Sequence, residues 1–120
     1  MENPIQKRTM HFAEKIIAAY LFLRENKHYR LADQLVGAGT SIGTNVSEAQ
    51  VAHSKLDFIA KLTIANKEAK ETQYWLNLLD REGLLLDFQE MKFLKQEIGE
   101  IILILNSIII KSRQNLNPKK

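Results

Sequence analysis

Asn45 and Glu48 stand three residues apart in the segment Gln34 to Ala49, QLVGAGTSIGTNVSEA. On a helix that spacing puts an amide and a carboxylate on one face. Glu71, on a later segment of helical pattern, would stand on the facing helix, and a carboxylate turned inward needs a hydrogen-bonding or cationic partner. An acid and a base at close quarters can move protons, but no nucleophile and no metal-ligand spacing accompanies these groups. The trio Asn45, Glu48 and Glu71 therefore reads as a structural polar cluster. Glu25-x-x-His28 has the spacing of di-iron bundles, yet those sites combine two such motifs with two further carboxylates, and this chain has a single copy at a helix end. His11 and His53 have no metal-spaced neighbour. No cysteine is present, which removes thiolate chemistry, disulfides and zinc-cysteine sites. Gly37 to Gly43, GAGTSIG, is G-x-G-x-x-x-G rather than the dinucleotide fingerprint, with no strand before it and no Gly-Lys-Ser/Thr. Catalytic residues, metals and cofactors are not expected.

The elements that hold these residues are helices. The glycines of GAGTSIG sit where Leu31, Leu35, Ala38, Ile42, Val46 and Ala49 keep a four-three apolar spacing. Glycine inside a helix costs about 1 kcal/mol against alanine, so the small pairs Gly37/Ser41 and Gly39/Gly43 predict close approach of another backbone. Asn3-Pro4 is a helix start, followed by the stripe Phe12, Ile16, Ala19 and Leu23. Ser54 with Asp57 begins a third helix by capping-box logic. Its seam is Phe58, Leu62, Ala65, Ala69, Thr72, Leu76 and Leu79, and Gly83 ends it. Asp87 with Glu90 starts a fourth, with Met91, Leu94, Ile98, Ile101, Leu105 and Ile108 facing inward. The spacing predicts helices over about 4–26, 30–51, 55–82 and 88–113, with a polar tail at 114–120. Short connections between four helices give an all-α, antiparallel up-down-up-down bundle in one domain.

The fourth helix also carries Ile102, Ile104, Ile109 and Ile110, and the third carries Ile59, Ile64, Tyr74, Trp75 and Leu78. Apolar surface beyond what one bundle buries marks a subunit interface, so a homo-oligomer is expected. The longest apolar run is far short of the ~20 residues that span a bilayer, and the start, MENPIQKRTMHF, lacks the apolar core of a signal peptide. A cytoplasmic setting and no membrane contact are expected.

Several stretches together resemble a known family. Ala32-Asp33-Gln34-Leu35, Ser41-Ile42-Gly43-Thr44-Asn45-Val46-Ser47-Glu48, Ser54-Lys55-Leu56-Asp57-Phe58-Ile59 and Ile64-Ala65-Asn66-Lys67-Glu68-Ala69-Lys70-Glu71 are similar to the four-helix-bundle proteins encoded in 23S rRNA intervening sequences. The likeness runs over about residues 10–112. It implies a bacterial, cytoplasmic, non-enzymatic protein assembled as a homopentamer. A relative in that resemblance, the accessory protein of diversity-generating retroelements, binds nucleic acid and a reverse transcriptase. The chain departs from the family pattern at Val36 and Gly37, where a pair of arginines is usual, and at Ala49, where glycine is.

The charge is +3 with a pI near 9.2, and its placement matters more than its size. An up-down bundle brings Lys7, Arg8, Lys55, Lys111, Arg113, Lys119 and Lys120 to one end, against Glu2, Glu48 and Asp57. Such an end attracts polyanions without reading sequence, although lysines also suit a helix C-terminus. The expected function is an oligomeric scaffold binding RNA or another nucleic acid through Lys7, Arg8, Lys55, Lys111 and Arg113. The alternative is a protein-protein adaptor without nucleic-acid binding, docking a larger partner through Trp75 or the isoleucine-rich face.

Overall fold

In the computed structural model, which describes residues 3–116, four helices run α1 Pro4–Glu25, α2 Tyr29–Ala49, α3 Lys55–Arg81 and α4 Met91–Leu116. Each packs on its neighbour in the chain and α4 closes thinly against α1, while the backbones of the diagonal pairs α1/α3 and α2/α4 stay apart. The result is an antiparallel four-helix bundle, 54 × 23 × 23 Å.

Local chemistry sets the helix starts. Asn3 Oδ1 accepts from Gln6 N at 2.9 Å, and Gln6 Oε1 accepts from Asn3 N at 3.3 Å. This is a full capping box with proline at the first position. Ser54 Oγ accepts from Asp57 N at 3.0 Å, and Asp57 Oδ2 accepts from His53 N at 3.3 Å. Gly83 takes φ +71° just past α3, a left-handed geometry that favours glycine. Lys27 takes φ 69° in the tight turn between α1 and α2.

The core follows the apolar spacing with small shifts. Phe12, Ile16, Ala19 and Leu23 meet Leu35, Ile42 and Val46, and all seven are fully buried. Burial of each large side chain contributes about 1.5–3 kcal/mol. On α2 the first inward residue is Ala32 rather than Leu31, and at the end of α4 it is Ile109 rather than Ile108. A helix of 3.6 residues per turn drifts from a strict four-three count over several turns.

Two larger corrections concern α4 and the glycines. Asp87 does not start α4. The chain turns through residues 82–90, with Leu85 buried in the turn, and the helix begins at Met91 and runs to Leu116, beyond the expected end at 113. An aliphatic residue dropped into the core holds the turn where capping residues suggested a helix.

Of the three glycines, only Gly39 is tightly packed. A Cβ there would lie 2.7 Å from Ile16 Cγ2, so the close approach is to an α1 side chain and not to a backbone. Gly43 has ordinary room beside Thr9, and Gly37 faces open space. The hydroxyls around them are satisfied within α2. Thr40, Ser41 and Thr44 donate to the carbonyls four residues back, at 2.7, 2.6 and 3.1 Å.

One polar pair lies between α3 and α4. Asn66, buried, donates from Nδ2 to Asn106 Oδ1 at 2.6 Å, and among the described residues its own Oδ1 has no donor. Leaving a buried acceptor unmet costs about 1–3 kcal/mol.

Candidate nucleic-acid interface

The start of α1, the α2–α3 turn and the end of α4 share one end of the bundle. Asn3 Nδ2 donates to Gln50 Oε1 at 2.7 Å. An apolar pocket of about 310 Å³ touches all four helices or their termini there, lined by Pro4, Ile5, Phe58, Leu62, Ile104 and Ile108. Lys7, Lys55, Lys111 and Arg113 belong to the elements that meet at this end, and all four are exposed. Among the described residues none of the four is in an ion pair. The acids at this end are engaged: Asp57 in the α3 cap, Glu48 with Lys61 Nζ at 3.0 Å. Arg113 also lies in the last turn of α4, where the helix dipole is negative and favours cations. Lys119, Lys120 and Glu2 lie outside the described residues.

Arg8, unlike those four, is held in an ion pair. Its Nε and Nη2 donate to Glu97 Oε2 and Oε1 at 2.8 and 2.7 Å, a bidentate pair from α1 to α4. The hydrogen bonds from the guanidinium to Glu97 raise the Arg8 pKa above its usual value. Glu97 is 89 residues away in sequence, so no local pattern announces the pairing. Arg8 therefore acts as a strut on the thinnest seam of the bundle. Substitution Arg8→Gln is expected to cost about 1 kcal/mol after solvent screening, lowering the thermal midpoint by roughly 4 °C. RNA affinity should stay within about twofold, since a paired charge contributes little at a distance. An unchanged midpoint with a tenfold loss of affinity would place Arg8 in the binding surface.

The expected polar cluster is not assembled. Asn45 Nδ2 donates to Ser41 O in its own helix at 2.9 Å. Glu48 is exposed and paired with Lys61, whose pKa its hydrogen bond raises. Glu71 is exposed and accepts from Trp75 Nε1 at 3.4 Å. With Glu48 facing Lys61 across antiparallel helices, Glu71 lies about 15 Å further along α3 at 1.5 Å per residue. These carboxylates do not turn inward because, at 100° per residue, each sits more than a third of a turn from the centre of its helix's buried stripe. His11 packs edge-on against Phe93 at 5.4 Å, and His28 is the residue before α2. Among the described residues no three His, Asp or Glu side chains come together.

Apolar side chains remain uncovered along two flanks. On α1 these are Met10, Ile17 and Leu21, beside a shallow depression of about 190 Å³ shared with Thr40, Gly43 and Thr44. On α4 they are Leu103 and Ile110.

The arrangement defines a class: an antiparallel four-helix bundle with a basic end and uncovered apolar flanks. Within that class the chain belongs to the family described as 23S rRNA-intervening sequence protein, whose sequence profile matches residues 1–107. It is similar to a crystal structure from Bacteroides thetaiotaomicron VPI-5482, described as a protein with unknown function from the S23 ribosomal protein family. The two share 40% identity with a TM-score of 0.82, over 88% of this chain and 97% of that one. No curated protein matches the chain. No described helix is long and apolar enough to cross a membrane.

Proposed function

We propose that this chain is a non-enzymatic, self-associating scaffold that binds RNA or another nucleic acid through its basic end. The observation that carries this reading is the group Lys7, Lys55, Lys111 and Arg113, exposed and without ion pairs among the described residues while the nearby acids are engaged. The uncovered residues on α1 and on α4 support self-association, since separate apolar flanks on one chain can meet in a closed ring such as a pentamer. The family description, an rRNA-intervening sequence protein, is in keeping with a nucleic-acid partner. Binding is electrostatic and indifferent to sequence, because lysines and a helix end offer phosphate contacts but no base readout. RNA affinity measured against salt tests the reading. Four phosphate contacts per chain predict a logarithmic slope of about −3 on a single strand and about −4 on a duplex. No binding at low salt, or affinity that ignores salt, contradicts it.

A further inference from the structure

The outward face of α3 carries a second set of residues. Helical spacing brings Lys67, Lys70, Tyr74, Asn77 and Arg81 within about 60° of one direction, and all five are exposed. Among the described residues Lys67, Lys70 and Arg81 have no ion-pair partner. Tyr74 is 60% exposed, yet its ring meets Trp75 edge-to-face at 5.3 Å and 76°. Of the acids beside this stripe, Glu71 accepts from Trp75 Nε1 and Asp80 pairs with Lys95. Beside the ring is an open depression of about 300 Å³ lined by Tyr74, Asn77, Leu78 and Arg81, room enough for a nucleobase.

We propose that this face is a stacking site for single-stranded nucleic acid. Tyr74 is the platform for one base, and the Asn77 amide lies at that base's polar edge. Arg81 on one side and Lys70 and Lys67 on the other take the flanking phosphates. From residue 67 to 81 the stripe runs about 21 Å, the length of a few extended nucleotides. A planar ring between unpaired cations suits a strand whose bases are free, and stacking is sequence-tolerant because every base has a π-face. A duplex buries its base faces and gains nothing from the ring. An acidic peptide would use the cations but not the ring or the amide-walled depression, so the single strand is the better fit. The inference rests on the reading of the chain as a nucleic-acid binder, but on residues remote from the basic end.

The experiment compares wild type, Tyr74→Ala and Tyr74→Phe by fluorescence anisotropy. The probes are a labelled single-stranded RNA of about ten nucleotides, which exceeds one stacking site, and an RNA duplex of the same length. Tyr74→Ala is expected to weaken single-strand binding about tenfold, the effect of one lost stack, and to leave duplex binding unchanged. Tyr74→Phe keeps the ring and binds like wild type. Alanine is the better helix former at this exposed position, so the fold is retained, and circular dichroism checks it. Equal single-strand affinity for wild type and Tyr74→Ala overturns the stacking site, as does an equal loss on both probes. Polyglutamate competing for the probe in a Tyr74-dependent way overturns it in favour of an acidic peptide. Wild type that binds neither probe overturns the polyanion reading as well, whereas wild type that binds duplex while Tyr74→Ala has no effect overturns the stacking site alone.

Discussion

Replacing Lys55, Lys111 and Arg113 together by glutamate is expected to lower duplex RNA affinity by at least about a hundredfold at low salt. The change removes three of the four cations proposed to meet phosphate and adds three repulsive charges at the same end, where released counterions drive binding. All three side chains are exposed, so little packing is lost. A glutamate at 113 also opposes the α4 dipole, at about 0.3–1 kcal/mol, so a modest fall in the thermal midpoint accompanies the loss. Titration of labelled duplex by anisotropy reads the effect. Affinity within threefold of wild type would place RNA binding elsewhere or nowhere on the chain.

The second large effect lies in the core. Gly39→Val is expected to destabilise the fold by about 3 kcal/mol, at the upper end of overpacking costs. A Cβ at 39 would stand 2.7 and 2.9 Å from the Cγ2 and Cγ1 of Ile16. Ile16 is fully buried and, being β-branched, has no alternative rotamer open to it in a helix. Relief has to come from moving α1 away from α2. Gly37, two residues earlier, gives the opposite result: a Cβ there meets nothing within 4 Å, so Gly37→Ala should stabilise by about 1 kcal/mol through helix propensity. Urea unfolding of both variants reads the pair. Equal stabilities would mean that the α1–α2 contact is looser than described. A destabilised Gly37→Ala would mean that another subunit covers this face of α2.

The contrast between those glycines marks what the sequence could convey. Apolar spacing located all four helices, and caps at Asn3 and Ser54 located two starts, because these are local signals in which side chain and backbone partner lie within one turn. Composition also said that α2 is small, yet it could not say which glycine a neighbour fills, since that depends on Ile16 in another helix. The same limit applies to charge. Lys7, Lys55, Lys111 and Arg113 reach one end through topology alone, so their grouping was legible. Arg8 belongs to Glu97 by a tertiary contact that topology does not specify. Glu48 and Glu71 show the converse: a spacing that suits a shared face says nothing of how far along the facing helix the partner lies. The Asn66–Asn106 pair had no local signal, because Asn66 lies one position off the seam residue Ala65 and its partner is 40 residues away on another helix. The α3 stripe ending at Arg81 has no sequence signal for a related reason: cations at helical spacing look the same on any solvated face, and only the ring geometry of Tyr74 and the depression beside it give Lys67 and Lys70 a common direction.

The most direct measurement is light scattering of the protein with and without a short RNA duplex, begun at about 50 mM salt and repeated as salt rises, the range over which phosphate contacts weaken steeply. The account predicts a particle several times the chain mass of 13.8 kDa that gains the mass of RNA and sheds it as salt increases. A monomer, or a larger particle that never gains RNA, contradicts it.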